Sequence, residues 1–105
     1  MSLRGKKLGI LLSTSPDQPG FQHGLRLAET ALQEGLEVYV YCIDDAVRGL
    51  GDPQLRRLTV LGLKLFACAY AAQRRQLPRG EEAAFAGLGS LSDIMTATDR
   101  FLSFN

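Results

Sequence analysis

Few side chains here can do covalent chemistry. The chain has two cysteines, Cys42 and Cys68, and one histidine, His23. A thiolate is a nucleophile that needs no cofactor, so thiol chemistry is the first class to consider. Cys68 opens the run Cys68-Ala69-Tyr70-Ala71-Ala72-Gln73-Arg74-Arg75. The alanines favour helix, so the sulfur falls at a helix start. Free backbone N–H groups and the positive end of the helix dipole favour a thiolate there. The competing reading is a buried cysteine that packs as a small apolar side chain. Arg74 and Arg75 follow ~10 Å along the helix axis, too far for a direct ion pair but suited to an acidic partner. Cys42 ends another apolar run and reads as a core cysteine, or as a lining residue near Cys68. A disulfide would need Cα atoms about 4.4–6.8 Å apart, a separation that spacing along the chain does not fix.

Other patterns carry less. Cys68 and Arg74 have the C-x5-R spacing of a phosphate-cradling loop. The five residues between them contain no glycine and prefer helix, which would use up their N–H groups. Asp44 and Asp45 are adjacent acids after an apolar run, without an obvious third acid for a metal site. A phosphoacceptor aspartate would be expected where Cys68 stands. Gly87-Leu88-Gly89-Ser90 lacks the third glycine and the preceding strand of a dinucleotide fingerprint. Ser13 and Thr14 begin a polar loop that could line a site. His23 has no evident partner and reads as a surface residue.

The elements that must hold these residues alternate in type. Residues 8–12 and 36–43 are apolar or β-branched runs that read as strands buried on both faces. Between them Phe21, Leu25, Ala28 and Leu32 recur at helical spacing, and Gly35 is a stop. Asp52 suits an N-cap and Pro53 the first helical position. Leu55, Leu58 and Leu61 line that helix, and Gly62 ends it. Residues 63–67 read as a third strand with Lys64 at its entrance. Residues 69–77 read as a helix stopped by Pro78, and residues 80–89 as a looser stretch. Ser90 and Asp93 resemble a capping box opening a helix with Leu91, Ile94 and Met95 inward. Residues 100–104 read as a final strand. Such alternation predicts an α/β fold: one three-layer α/β/α domain over residues 1–105, with a mainly parallel sheet of four to five strands. Reactive residues then collect at the carboxyl ends of the strands: residues 13–20, 42–47 and Cys68.

Composition narrows the function. The 105 residues are 46% hydrophobic with a formal net charge of +1. That balance gives no electrostatic case for nucleic acid or an acidic membrane surface, and it is too apolar for a disordered chain. One histidine and two cysteines make neither a histidine-rich nor a four-thiolate metal site, so no metal is expected. The apolar run at residues 61–72 is broken by Lys64 and falls short of the ~20 residues needed to span a bilayer. Residues 8–12 are too short for a secretory leader. A cytoplasmic protein with reduced thiols is the expectation.

The Cys68-to-Arg75 segment resembles the cysteine segment of the DsrE/DsrF-like sulfur-relay family, in its TusD and DsrE branch. Asp45-Ala46-Val47 resembles that branch's Asp-Gly-Val, with Ala46 in place of the glycine. Gly87-Leu88-Gly89 followed by Asp99-Arg100-Phe101-Leu102-Ser103-Phe104 resembles its closing segment. The resemblance implies a DsrE-like fold and a sulfurtransferase or carrier that holds sulfur as a persulfide on Cys68. It implies no cofactor, a small sulfur-carrier protein as partner, and assembly as a homo-oligomer, trimer or hexamer, or with related subunits. The other class left open is a non-catalytic oligomer subunit or small-ligand binding module of the same fold. Cys68 is the candidate catalytic residue. Ser13, Thr14, Cys42 and Asp45 are candidates to line the site, and Arg74 and Arg75 candidates to bind a partner.

Overall fold

The computed structural model describes residues 2–105. Five strands form: β1 (Lys7–Leu12), β2 (Glu37–Cys42), β3 (Lys64–Cys68), β4 (Ala84–Ala86) and β5 (Arg100–Phe104). They make one sheet in the order β4-β3-β2-β1-β5, and every ladder between neighbours is parallel. The connections carry helices α1 (Pro19–Gln33), α2 (Pro53–Val60), α3 (Ala69–Arg74) and α4 (Leu88–Ala97), with a 3₁₀ segment at Asp44–Gly49. This is the expected α/β fold with all five strands parallel.

The register explains the layers. Leu12, Cys42 and Ala67 lie in one row across β1, β2 and β3. Side chains alternate along a strand, so Leu8, Ile10, Val38, Val40 and Leu65 share that row's face. All of these are buried. Helix α1 covers them with Phe21, Leu25, Ala28 and Ala31. Gly24 lies so close to Leu12 that a side chain there would collide with it, and would also press on the Phe104 ring. Leu55 and Leu58 of α2 are fully buried, each stabilising the fold by roughly 1.5–3 kcal/mol through burial.

Right-handed crossovers put α1 and α2 on this face. The return from β4 to β5 runs the other way, which puts α4 on the opposite face. That second face carries Leu11, Tyr39, Tyr41, Phe66 and Cys68 and is more thinly covered: Leu11, Tyr39 and Phe66 are only partly buried. Gly9 belongs to it too, because the Phe101 ring comes within 2.5 Å of where its Cβ would stand.

Punctuation matches the expected chemistry in two places. The Asp52 carboxylate accepts from the N–H groups of Gln54 and Leu55 at 2.9 and 3.3 Å, ahead of Pro53. Gly35 follows α1 at φ +86°, a conformation that favours glycine.

Four local expectations change. Leu61 is exposed, because it is the C-cap of α2 and the chain turns away at Gly62. Helix α3 stops at Arg74, short of Pro78, with Gln76 in the left-handed region at φ +55°. The looser stretch contains β4, which pairs Ala84, Phe85 and Ala86 with Phe66, Ala67 and Cys68. Helix α4 starts two residues earlier than Ser90, with Gly87 as its N-cap, no side-chain cap, and Met95 pointing outward.

Candidate functional site

Cys68 is the last residue of β3 and the N-cap of α3. The strand ends there because the alanine-rich segment that follows takes up helix. The Ala71 N–H points back at the sulfur, 3.4 Å from Sγ. Cys68 is 4% exposed and is one of the residues lining a cavity of about 360 Å³. The residue is therefore sheltered at the edge of a pocket.

Three parts of the chain build the walls. The 3₁₀ segment and its approach give Ile43 and Asp44, α3 gives Tyr70, Ala71, Arg74 and Arg75, and the start of α4 gives Gly87 and Leu88. Asp44 adopts φ +52°, a left-handed conformation that aspartate tolerates better than most residues. Tyr70 and Leu88 are 64% and 63% exposed and give the cavity an apolar rim.

The two arginines differ. Arg75 Nε donates to Asp45 Oδ1 at 2.9 Å, and its Nη1 donates to the Ala71 carbonyl at 3.2 Å. Arg48 also approaches Asp45, at 3.7 Å. Asp45 thus borders the site through Arg75. Arg74 donates to the Tyr70 hydroxyl at 3.2 Å and lies 5.9 Å from that ring's centre. Among the described residues it pairs with no carboxylate, so its charge stays available at the cavity wall. Helix geometry separated the arginines from the thiol along the axis, yet both line the same cavity as Cys68.

The other sequence candidates sit elsewhere. Cys42 pairs in register with Ala67 and shares its face. Cys68, the next residue along β3, points to the opposite face. The sheet therefore separates the two sulfurs, and both are free thiols. Burial pushes the Cys42 thiol up to about 12. Ser13 and Thr14 follow β1, two strands away from β3, about 10 Å across the sheet. The Ser13 hydroxyl is engaged with Asn105 Oδ1 at 2.6 Å. Thr14 Oγ1 is buried without a partner, outside the cavity. His23 is exposed on α1. Among the described residues, no three His, Cys, Asp or Glu side chains come together to hold a metal, and no helix is long and apolar enough to cross a membrane.

Sequence reasoning missed Tyr41. Its ring is fully buried on the same face as Cys68, and its hydroxyl meets the carbonyls of Ala86 and Gly87 at 3.1 and 3.2 Å. Burial, with the neighbouring Cys68 adding to it, pushes its hydroxyl up to about 12. The strand pattern marked Tyr41 as buried but carried no signal of its distant partners.

The comparisons with known proteins bear on the fold and the family. The crystal structure of the YchN protein from E. coli superposes with a TM-score of 0.77, covering 95% of this chain and 99% of that one at 17% identity. At that identity the likeness concerns the fold. No curated protein matches the chain. A model of the DsrE/DsrF-like family matches residues 6–104. The match spans all five strands and the strand-to-helix step at Cys68, and the chain belongs to the DsrE/DsrF-like family.

Proposed function

We propose that this protein is a cytoplasmic sulfur-relay protein that holds sulfur as a persulfide on Cys68. The observation that carries the reading is the cavity. A single cysteine at the carboxyl end of an inner strand lines a mainly apolar pocket, and on its wall stands an arginine that pairs with no carboxylate among the described residues. The step needs no cofactor. The Cys68 thiolate attacks the outer sulfur of a donor persulfide, R–S–SH. The new S–S bond forms as the donor's S–S bond breaks, giving Cys68–S–SH and the donor thiolate R–S⁻. Passing the sulfur on is the same exchange with Cys68 as the leaving thiolate. Arg74 suits an acidic surface on a small sulfur-carrier protein. The exposed Tyr70 and Leu88 suit a neighbouring subunit, identical or related, in a trimer or hexamer.

Incubating the reduced protein with a persulfide donor should add one sulfur atom at Cys68, read by intact mass and peptide mapping. Cys68→Ala should abolish the gain and Cys42→Ala should keep it. A gain that survives in Cys68→Ala would sink the proposal. The burial of Cys68 favours a second reading, a non-catalytic subunit or small-ligand module of the same fold. A Cys68 that takes up no sulfur and resists alkylation in the folded protein would select it.

A further inference from the structure

Tyr41 has one proton and more than one acceptor for it. Its hydroxyl lies between the carbonyls that end β4 and begin α4, at 3.1 and 3.2 Å. Both distances are at the long end for an O–H donor. Tyr41 pairs in register with Phe66, two residues before Cys68 on the same face, which makes Cys68 its diagonal neighbour across the ladder. Gly87 and Cys68 border the same cavity. The ring is fully buried and its position is fixed by β2.

We infer that Tyr41 is the positioning residue of the Cys68 site: its hydroxyl donates to the sulfur whenever Cys68 carries negative charge. With a neutral thiol the proton rests on the Ala86 and Gly87 carbonyls. With a thiolate, before attack or after giving up its sulfur, the proton turns to Cys68. A charged acceptor holds an O–H more strongly than a carbonyl does. The inference rests on the sulfur-relay reading for its purpose but on the β2–β3–β4 geometry for its content. Desolvation keeps Tyr41 protonated through the neutral range, so it remains a donor. The other titratable groups at the cavity are Asp44, Tyr70, Arg74 and Arg75, with Asp45 held by Arg75.

The test is the pH profile of Cys68 alkylation by iodoacetamide, mapped by mass spectrometry on the reduced full chain. Tyr41→Phe removes the donor and keeps the ring, and its profile should move to higher pH by about one unit. Site-specific 3-fluorotyrosine at position 41 is a stronger donor of nearly the same size. It should move the profile to lower pH, which a packing role would not do. This second arm carries the test if Tyr41→Phe fails to fold. Coincident profiles in the wild type and the fluorinated protein overturn the inference. Persulfide loading of the wild type is measured alongside. Shifted profiles without loading uphold the donor role and remove the relay reading. Loading with coincident profiles does the reverse.

Discussion

The two cysteines have opposite surroundings because they point to opposite faces of one sheet. Cys42 lies in the row of Leu12 and Ala67 under α1, fully buried among apolar side chains. Its thiol is pushed up to about 12 from an ordinary 9.0. Above pH 9 the unfolded chain therefore loses this proton while the folded chain keeps it. Cys42's contribution is fully present below pH 9 and is lost as pH rises toward 12, at up to about 1.4 kcal/mol per pH unit. Cys42→Ala should cost about 1 kcal/mol at pH 7 through the cavity it leaves. Because the variant lacks this titration, its stability should meet the wild type's near pH 10 and exceed it above. Urea unfolding at pH 7, 9, 10 and 11 checks this, and parallel curves would refute it. At this scale Cys68 was legible, since an alanine-rich helix start after an apolar run marks a place for a thiol. Tyr41 was not: its partners lie up to 46 residues away, and nothing local distinguishes it from a packed strand residue.

At the scale of elements, strong local signals were legible and weak ones were not. Asp52-Pro53 fixes the start of α2 by satisfying two N–H groups with one carboxylate. Asp52→Ala should therefore destabilise the protein by about 1 kcal/mol, a fall of about 4 °C in melting temperature. Asp52→Asn should keep most of that stability, because asparagine caps nearly as well. A melting temperature unmoved by the alanine would show that α2 is held by Leu55 and Leu58 alone. Strand β4 lies at the other extreme. Ala84-Phe85-Ala86 has no β-branched residue and no alternation, and it becomes a strand because β3 offers a free edge. The start of α4 was displaced for a related reason. Ser90 and Asp93 have capping chemistry, but the chain turns at Gly87, where its carbonyl receives Tyr41. Tertiary contacts across β2, β3 and β4 decide both elements, and those same contacts assemble the cavity around Cys68.

At the scale of the molecule, the two faces of the sheet are unequally covered. Helices α1 and α2 seal one face, while α4 crosses the other and leaves Leu11, Tyr39 and Phe66 partly open. Leu88 and Met95 are seven residues apart on α4, which places them on one side of that helix. Both are exposed, and Leu88 and Tyr70 flank the mouth of the Cys68 cavity. An apolar rim around a sheltered thiol is what a subunit boundary needs: a second chain would cover the rim and complete the pocket. Leu88→Glu should leave the isolated fold intact, because Leu88 buries little within its own chain. At a subunit contact it should weaken association about 10- to 100-fold, from the lost burial of one leucine. Sedimentation velocity across protein concentration reads this as a shift toward monomer, with an unchanged circular dichroism spectrum as the control. Wild type that sediments as a monomer at all concentrations would exclude the rim as a contact between copies. If the shift appears, the same variant should alkylate Cys68 faster than the wild type. Opening the assembly then also opens the pocket, and this links the state of assembly to the exposure of the sulfur.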